Sequence, residues 1–161
     1  MTLCFRHARA ADVPAIVSLY KASLGLPGCT WDEDYPSEET AMLDLAAGCL
    51  YAAESGGAVI GAVSVIPENE LDDYTFWQIA DGSRREIARV VIAPAHRGHG
   101  YAAVMLQALF DHLQNDGCRA VHLLAATCNP AAVATYRRLG FETRGRCRAY
   151  GFDYFAMEKI L

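Results

Sequence analysis

The stretch Val90-Val91-Ile92-Ala93-Pro94-Ala95-His96-Arg97-Gly98-His99-Gly100-Tyr101-Ala102 holds the residues best placed to do chemistry. An apolar, β-branched run stops at Pro94, a short loop with two glycines follows, and a helical pattern begins at Tyr101. Such a loop presents several backbone N–H groups at a helix N-terminus, where they lack intrahelical partners and attract an anion. Gly98 and Gly100 have no side chain to hold phosphate oxygens away, and Arg97 adds positive charge. These residues suit a phosphate or pyrophosphate; the alternative is an ordinary tight strand-to-helix turn. His96 and His99 flank the glycines, either to assist phosphate binding or as surface histidines. No G-K-[ST] follows the glycines, which excludes a P-loop. Gly98-x-Gly100-x-x-Ala103 does satisfy the dinucleotide-binding pattern of an oxidoreductase. Against it, Pro94 to Arg97 separates strand from glycines, Ala120 to Cys128 lacks the expected acid, and too little chain follows residue 90.

Arg97-x-x-Gly100-x-Ala102 resembles the R/Q-x-x-G-x-G/A motif with which the GNAT superfamily of N-acetyltransferases grips the coenzyme A pyrophosphate; alanine at the last position is allowed there. Asn129 and Tyr136, followed by Arg138-Leu139-Gly140-Phe141, resemble the family's N…Y-x-x-x-G-F segment. The resemblance runs from Glu86 to Phe155. The first half is looser, although Trp31 with Asp34-Tyr35-Pro36 looks like a loop of some bacterial members. The resemblance implies an α/β fold (α+β by some schemes) in a single domain, residues 1–161. Its centre would be a mixed, mostly antiparallel sheet, splayed in the middle and flanked by about four helices. It implies acetyl-CoA as acetyl donor, coenzyme A as product, and direct attack by an amine in a ternary complex. Arg97, Gly98, His99, Gly100, Tyr101 and Ala102 would hold the pyrophosphate, and Asn129 and Tyr136 would also touch the cofactor. Val91 and Ile92 would pair with the pantetheine arm, one of their N–H groups stabilising the developing oxyanion. Dimerisation is common in the family, but no surface for it is specified here.

Aminolysis of a thioester poses two proton problems. An alkylammonium, with a pKa near ~10.4, cannot attack until it loses a proton, and the departing thiolate is better released protonated. Tyr136 is the candidate acid, since a phenol can donate to a thiolate; its spacing with Val133 and Leu139 also allows a core position. Glu86, 11 residues before Arg97, is the first candidate base. Its alternative is a strand-end carboxylate in water or paired with Arg84 or Arg85, and Glu70 or Asp73 could serve instead. Trp31, Tyr35 and Trp77 offer aromatic faces, and Asp73 a carboxylate, for an ammonium acceptor; the aromatics could equally be core.

Several elements must position these groups. A short strand is expected over Thr2–Arg6. Asp12-Val13-Pro14 opens a helix, with Asp12 as N-cap, that continues through Ile16, Val17, Leu19, Tyr20 and Leu24 to Gly25. A loop to Pro36 leads to a second helix from Ser37 to Ala47. Strands at Leu50–Glu54 and Ala58–Ile66 flank a Ser55-Gly56-Gly57 turn, and a weak strand is expected at Tyr74–Ile79. Glu86–Ile92 reads as a central strand and Tyr101–Gln114 as a helix with the stripe Ala102, Met105, Leu106, Leu109, Phe110 and Leu113. A strand at Ala120–Ala126, a helix from Asn129 to Leu139, and strands at Phe141–Arg146 and Asp153–Ile160 complete the chain.

The formal net charge of −5 is unevenly placed. Thr30–Glu86 holds 13 acids against Arg84 and Arg85, a net of −11, whereas Ile87 onward has nine bases and five acids, a net of +4. Such a division could merely be two solvated surfaces, or an acidic side for a cationic acceptor beside a basic side for a polyanionic cofactor. No basic run suggests nucleic acid, no apolar run reaches the ~20 residues of a membrane helix, and no Cys/His spacing suggests a metal. Arg6 and His7 stand where a signal peptide needs its apolar core. With six cysteines and no CxxC, the expectation is free thiols in a reducing cytoplasm. The acceptor is expected to be a primary amine of a small molecule or peptide, and the acidic half favours a small cationic molecule. A non-catalytic acyl-CoA-binding sensor is the alternative to an enzyme, and would share every phosphate-binding feature.

Overall fold

The computed structural model describes residues 2–67 and 69–161. In chain order the elements are β1 (Cys4–His7), α1 (Val13–Ser23), α2 (Glu38–Ala46), β2 (Leu50–Ser55), β3 (Ala58–Ile66), β4 (Arg84–Ile92), α3 (Tyr101–Asn115), β5 (Ala120–Ala126), α4 (Pro130–Arg138), β6 (Glu142–Ala149) and β7 (Phe152–Ile160). One seven-stranded sheet has the order β1-β2-β3-β4-β5-β7-β6. β4 pairs with β5 in parallel, while β1–β2, β2–β3, β5–β7 and β6–β7 are antiparallel. This is the mixed, mostly antiparallel sheet with four helices that was expected. Two compact units contribute to it: the chain to Ser64 with Arg89–Leu109, and Val65–Ala88 with Phe110–Leu161. β4 therefore starts in one unit and ends in the other.

In the first unit, Ile16, Val17, Leu19 and Tyr20 of α1 share a core with Ala41, Leu50, Ala52, Ala62 and Val91. Asp12 does not cap α1 as expected. It ends a short 3-10 turn, Ala10–Asp12, and has helical dihedrals itself. Its carboxylate accepts from Arg9 N (2.7 Å) and pairs with Arg6 (2.7 Å), which also reaches Glu54 (2.8 Å). The Arg6 hydrogen bond holds the Asp12 carboxyl below the usual range. Ser37 does cap α2, accepting from Thr40 N at 3.1 Å. Gly61 is the close approach of β3 to β4: a Cβ there would lie 2.7 Å from Ile92 Cδ1 and 3.1 Å from the Val91 carbonyl.

In the second unit, Ala120–Ala126 runs antiparallel to Tyr154–Ile160 along its whole length. Tyr74–Ile79 is not a strand. Its backbone is recruited by a buried carboxylate: Gln78 N and Ile79 N donate to Glu158 at 2.9 and 3.0 Å, and Arg144 Nε donates to the same group at 2.9 Å. Its aromatics fill space instead. Trp77 is buried with Leu71 and Ala156, and Phe76 lies over Gly145, where a Cβ would meet the ring at 2.7 Å. Among the described residues, no helix is long and apolar enough to cross a membrane.

Candidate active site

The glycine loop lies in the first unit. A 3-10 turn, Pro94–His96, follows β4, and Gly98 and Gly100 both take positive φ, 76° and 82°. A side chain at either position would be strained, yet a Cβ would meet nothing within 4 Å, so the approach to the loop is open. Val104 N donates to Gly100 O at 3.2 Å, marking the first turn of α3; the N–H groups before it have no intrahelical acceptor. His96 Nδ1 is buried without a partner among the described residues, and its ring meets Tyr101 edge-on at 5.5 Å. Arg97 is turned back: Nε donates to Ile92 O (3.0 Å) and a terminal nitrogen to Ser23 Oγ (2.8 Å). Arg97 thus fastens the loop to the end of β4 and of α1 while leaving its charge at the loop. An open, donor-rich loop beside a cation fits a pyrophosphate.

β4 presents a second set of donors. Its register with β5 runs Arg84↔Ala120, Arg85↔Val121, Glu86↔His122, while the strand itself continues to Ile92. Ala93 N donates to Ile60 O of β3 at 2.7 Å. Successive N–H groups on a strand point to opposite edges, so that of Ile92 is turned away from β3. Of Val91 and Ile92, both buried, Ile92 is therefore the better-placed donor to an extended ligand.

Arg89, inside β4, has φ 52°, a left-handed conformation unusual for a non-glycine residue. Its side chain meets Asp44 twice, through Nε (2.9 Å) and a terminal nitrogen (2.8 Å), and donates to Tyr35 Oη at 2.9 Å. Asp44 also accepts from Ser64 Oγ at 2.6 Å. Tyr20, nearby, is buried, and burial pushes its phenol up to about 12. Trp31 is half-buried, edge-on to Tyr20 at 5.6 Å, and Tyr35 is exposed.

The remaining candidates lie in the second unit. Glu86 accepts a short hydrogen bond from Asn69 Nδ2. Asn69 is held in that orientation because its Oδ1 accepts from Leu71 N (2.7 Å) and its own N–H donates to Asp72 (3.2 Å). Asp72 pairs with Arg84 (2.9 Å) and stands 3.5 Å from His122 Nε2. His122 is 1% exposed and stacked on Trp77; desolvation drives its pKa down to about 4 despite Asp72, so it is neutral near pH 7. Asn129 caps α4, its Oδ1 accepting from Ala132 N at 3.2 Å. Tyr136, on the same helix, packs edge-on against Phe141 at 5.6 Å, and desolvation pushes its phenol up to about 12. Glu70 accepts from Tyr150 Oη at 2.5 Å, and Asp73 is exposed on the 3-10 turn Glu70–Asp73. Trp77 is 5% exposed and its Nε1 donates to Leu71 O (2.7 Å), so its faces serve the core and are closed to an acceptor.

The first unit thus gathers Val91, Ile92 and the 97–102 segment with Trp31 and Tyr35; the second holds Glu86, Glu70, Asp73, Asn129 and Tyr136. Arg89, Asp44 and Asn69 were not legible as site residues in the sequence. A lone arginine inside the otherwise apolar run Ile87–Ile92 was the available sign of the first. Asp44 and Asn69 carry no comparable sign, because their partners are remote in the chain. The acidic block also changes character on folding, as Glu54, Asp44 and Asp81 pair with Arg6, Arg89 and Arg119, which lie outside it.

The model of the acetyltransferase (GNAT) family matches residues 14–141. The L-methionine sulfoximine/L-methionine sulfone acetyltransferase of Pseudomonas aeruginosa is 28% identical, over 94% of this chain and 87% of its own. Among solved structures, the phosphinothricin acetyltransferase of Sinorhizobium meliloti, in complex with AcCoA, superposes with a TM-score of 0.79 at 27% identity, covering 100% of this chain and 89% of that one. The ribosomal-protein-alanine N-acetyltransferase of Brucella melitensis gives 0.78 at 25% identity, covering 98% and 99%. With two motifs in place and a family match across most of its length, the chain belongs to the GNAT family of acetyltransferases, and transfer of an acetyl group from acetyl-CoA to an amine is its reaction.

Proposed function

We propose that residues 1–161 act as one acetyltransferase domain on the primary amine of a small molecule, by direct attack in a ternary complex. The family match spans both units, which supports treating them as one catalytic domain. The observation that carries the assignment of the cofactor site is the glycine loop: two positive-φ glycines open to solvent, with Arg97 fastened beside them. Gly98–Ala102 hold the pyrophosphate through their N–H groups, His96 and His99 flank it, and Asn129 and Tyr136 contact the rest of the cofactor. Acetyl-CoA supplies a thioester carbonyl open to aminolysis. The N–H of Ile92, or of Val91, polarises that carbonyl, a preorganised donor being worth about 3 kcal/mol in such sites. Glu86, oriented by Asn69, takes the ammonium proton directly or through water. Tyr136, kept protonated by its raised pKa, gives a proton to the departing thiolate.

The acidic stretch gives weaker support for a cationic acceptor than its net charge suggests, because three of its carboxylates are answered by outside arginines. A zwitterionic amine of the kind named for the Pseudomonas relative suits this chain better. Asp73, exposed, and Trp31 remain candidates for the acceptor side. Six free thiols, Cys4 and Cys128 among them exposed, are in keeping with a reducing compartment, the cytoplasm. The test is thiol release from acetyl-CoA with a panel of amino acids, polyamines, aminoglycosides and small peptides. Turnover with a small amine, falling at least 100-fold in Glu86→Gln, is the expected result. Cofactor binding without turnover across the panel would favour an acyl-CoA sensor, and unaltered turnover in the variant would remove Glu86 as base.

A further inference from the structure

Arg89 has a positive φ that only its surroundings can maintain. A left-handed conformation is strained for a non-glycine residue, and here it sits inside a strand two residues before Val91. Its guanidinium is held rigidly: two hydrogen bonds to Asp44, itself anchored by Ser64, and one to the hydroxyl of Tyr35. A guanidinium has five N–H groups, so two have no partner among the described residues. The Tyr35 hydroxyl accepts from Arg89 and keeps its own proton to donate. The cluster is not sealed: Tyr35 is 45% exposed, and the Arg89 side chain is 12% exposed.

Unengaged N–H and O–H donors on a rigid frame match a carboxylate, a group that Arg binds through two parallel N–H groups. Arg89 also precedes Val91 by two residues on β4, the strand whose backbone is assigned the acetyl carbonyl.

We propose that Arg89 and Tyr35, braced by Asp44, form a carboxylate clamp that makes this enzyme selective for the α-amine of amino acids over amines lacking a carboxylate. The clamp rests on the assignment of amine acetylation to this chain. The experiment compares kcat/KM for matched pairs: L-methionine sulfone against 3-(methylsulfonyl)propan-1-amine, L-phenylalanine against phenethylamine, and L-lysine against cadaverine. Acetyl-CoA affinity is measured by calorimetry alongside. The wild type should favour the carboxylate-bearing member of at least one pair by about 100-fold or more, two charge-assisted hydrogen bonds at ~1.5 kcal/mol each. Tyr35→Phe, which deletes only the hydroxyl, should lower that ratio about 10-fold. Arg89→Lys should bring it near one, with acetyl-CoA affinity unchanged in both. Equal use of both members by the wild type, or variants that slow both members alike, would overturn the clamp and leave Arg89 as a brace between β4 and α2. No acetylation of any amine would overturn the broader assignment, and the clamp with it.

Discussion

Tyr136→Phe removes a single oxygen, and the structure says what that oxygen is worth. The hydroxyl has no hydrogen-bond partner among the described residues, so the phenylalanine variant should fold with unaltered stability, within about 0.5 kcal/mol. Desolvation sets the phenol pKa at about 12, so near pH 8 only about one molecule in 10,000 is ionised, and the residue can donate but not accept. Proton transfer from this phenol to a thiolate of ordinary pKa, roughly 8.5, is uphill by about 3.5 units, near 5 kcal/mol. A donor so mismatched should fall at the lower end of the acid-catalysis range, so the variant should lose about 10- to 1,000-fold in kcat, or roughly 1.4–4 kcal/mol. Steady-state thiol release from pH 6 to 10, with calorimetry of acetyl-CoA binding and thermal unfolding, measures all three quantities. The loss in kcat should be the same at every pH in that range, because a phenol at about 12 stays protonated throughout. A variant with kcat within twofold of wild type would return Tyr136 to a packing role against Phe141. A wild-type alkaline limb below pH 10 that vanished in the variant would refute the effect assigned to burial.

Gly100→Glu should abolish acetyl-CoA binding while far-ultraviolet circular dichroism stays native: the strain at φ 82° costs about 1–2 kcal/mol, but the carboxylate would enter the open approach to the loop. Retained affinity in calorimetry would remove the loop as the pyrophosphate site. His122 should make the fold sensitive to acid. Its pKa is about 4 when folded and near 6.5 when unfolded, so the unfolded chain binds more protons between those values. Stability is fully present above pH 6.5 and falls by about 3 kcal/mol as pH drops toward 4. Urea unfolding at a series of pH values should show this slope in the wild type and lose it in His122→Gln, whereas equal slopes in the two proteins would contradict it.

What the sequence determined by itself was whatever depends on neighbours along the chain. The strand, glycine loop and amphipathic helix around residues 90–102 are contiguous, and so is the Asn129 cap with its helix; local hydrogen bonding and periodicity were enough to place them. Tyr74–Ile79 failed for the opposite reason. A weak strand was expected there, but Glu158, 79 and 80 residues away, took its N–H groups, and Trp77 had a core to fill. Asp12 likewise left its local role for Arg6. Net charge misled in the same way, since a segment total says nothing about which arginine each carboxylate will meet. Arg89 with Asp44 and Tyr35, Asn69 with Glu86, and the left-handed turn of Arg89 itself were decided only by tertiary structure. Their partners lie 17 to 54 residues apart, and a hydrogen bond across that separation is set by the packing of whole elements rather than by any local propensity.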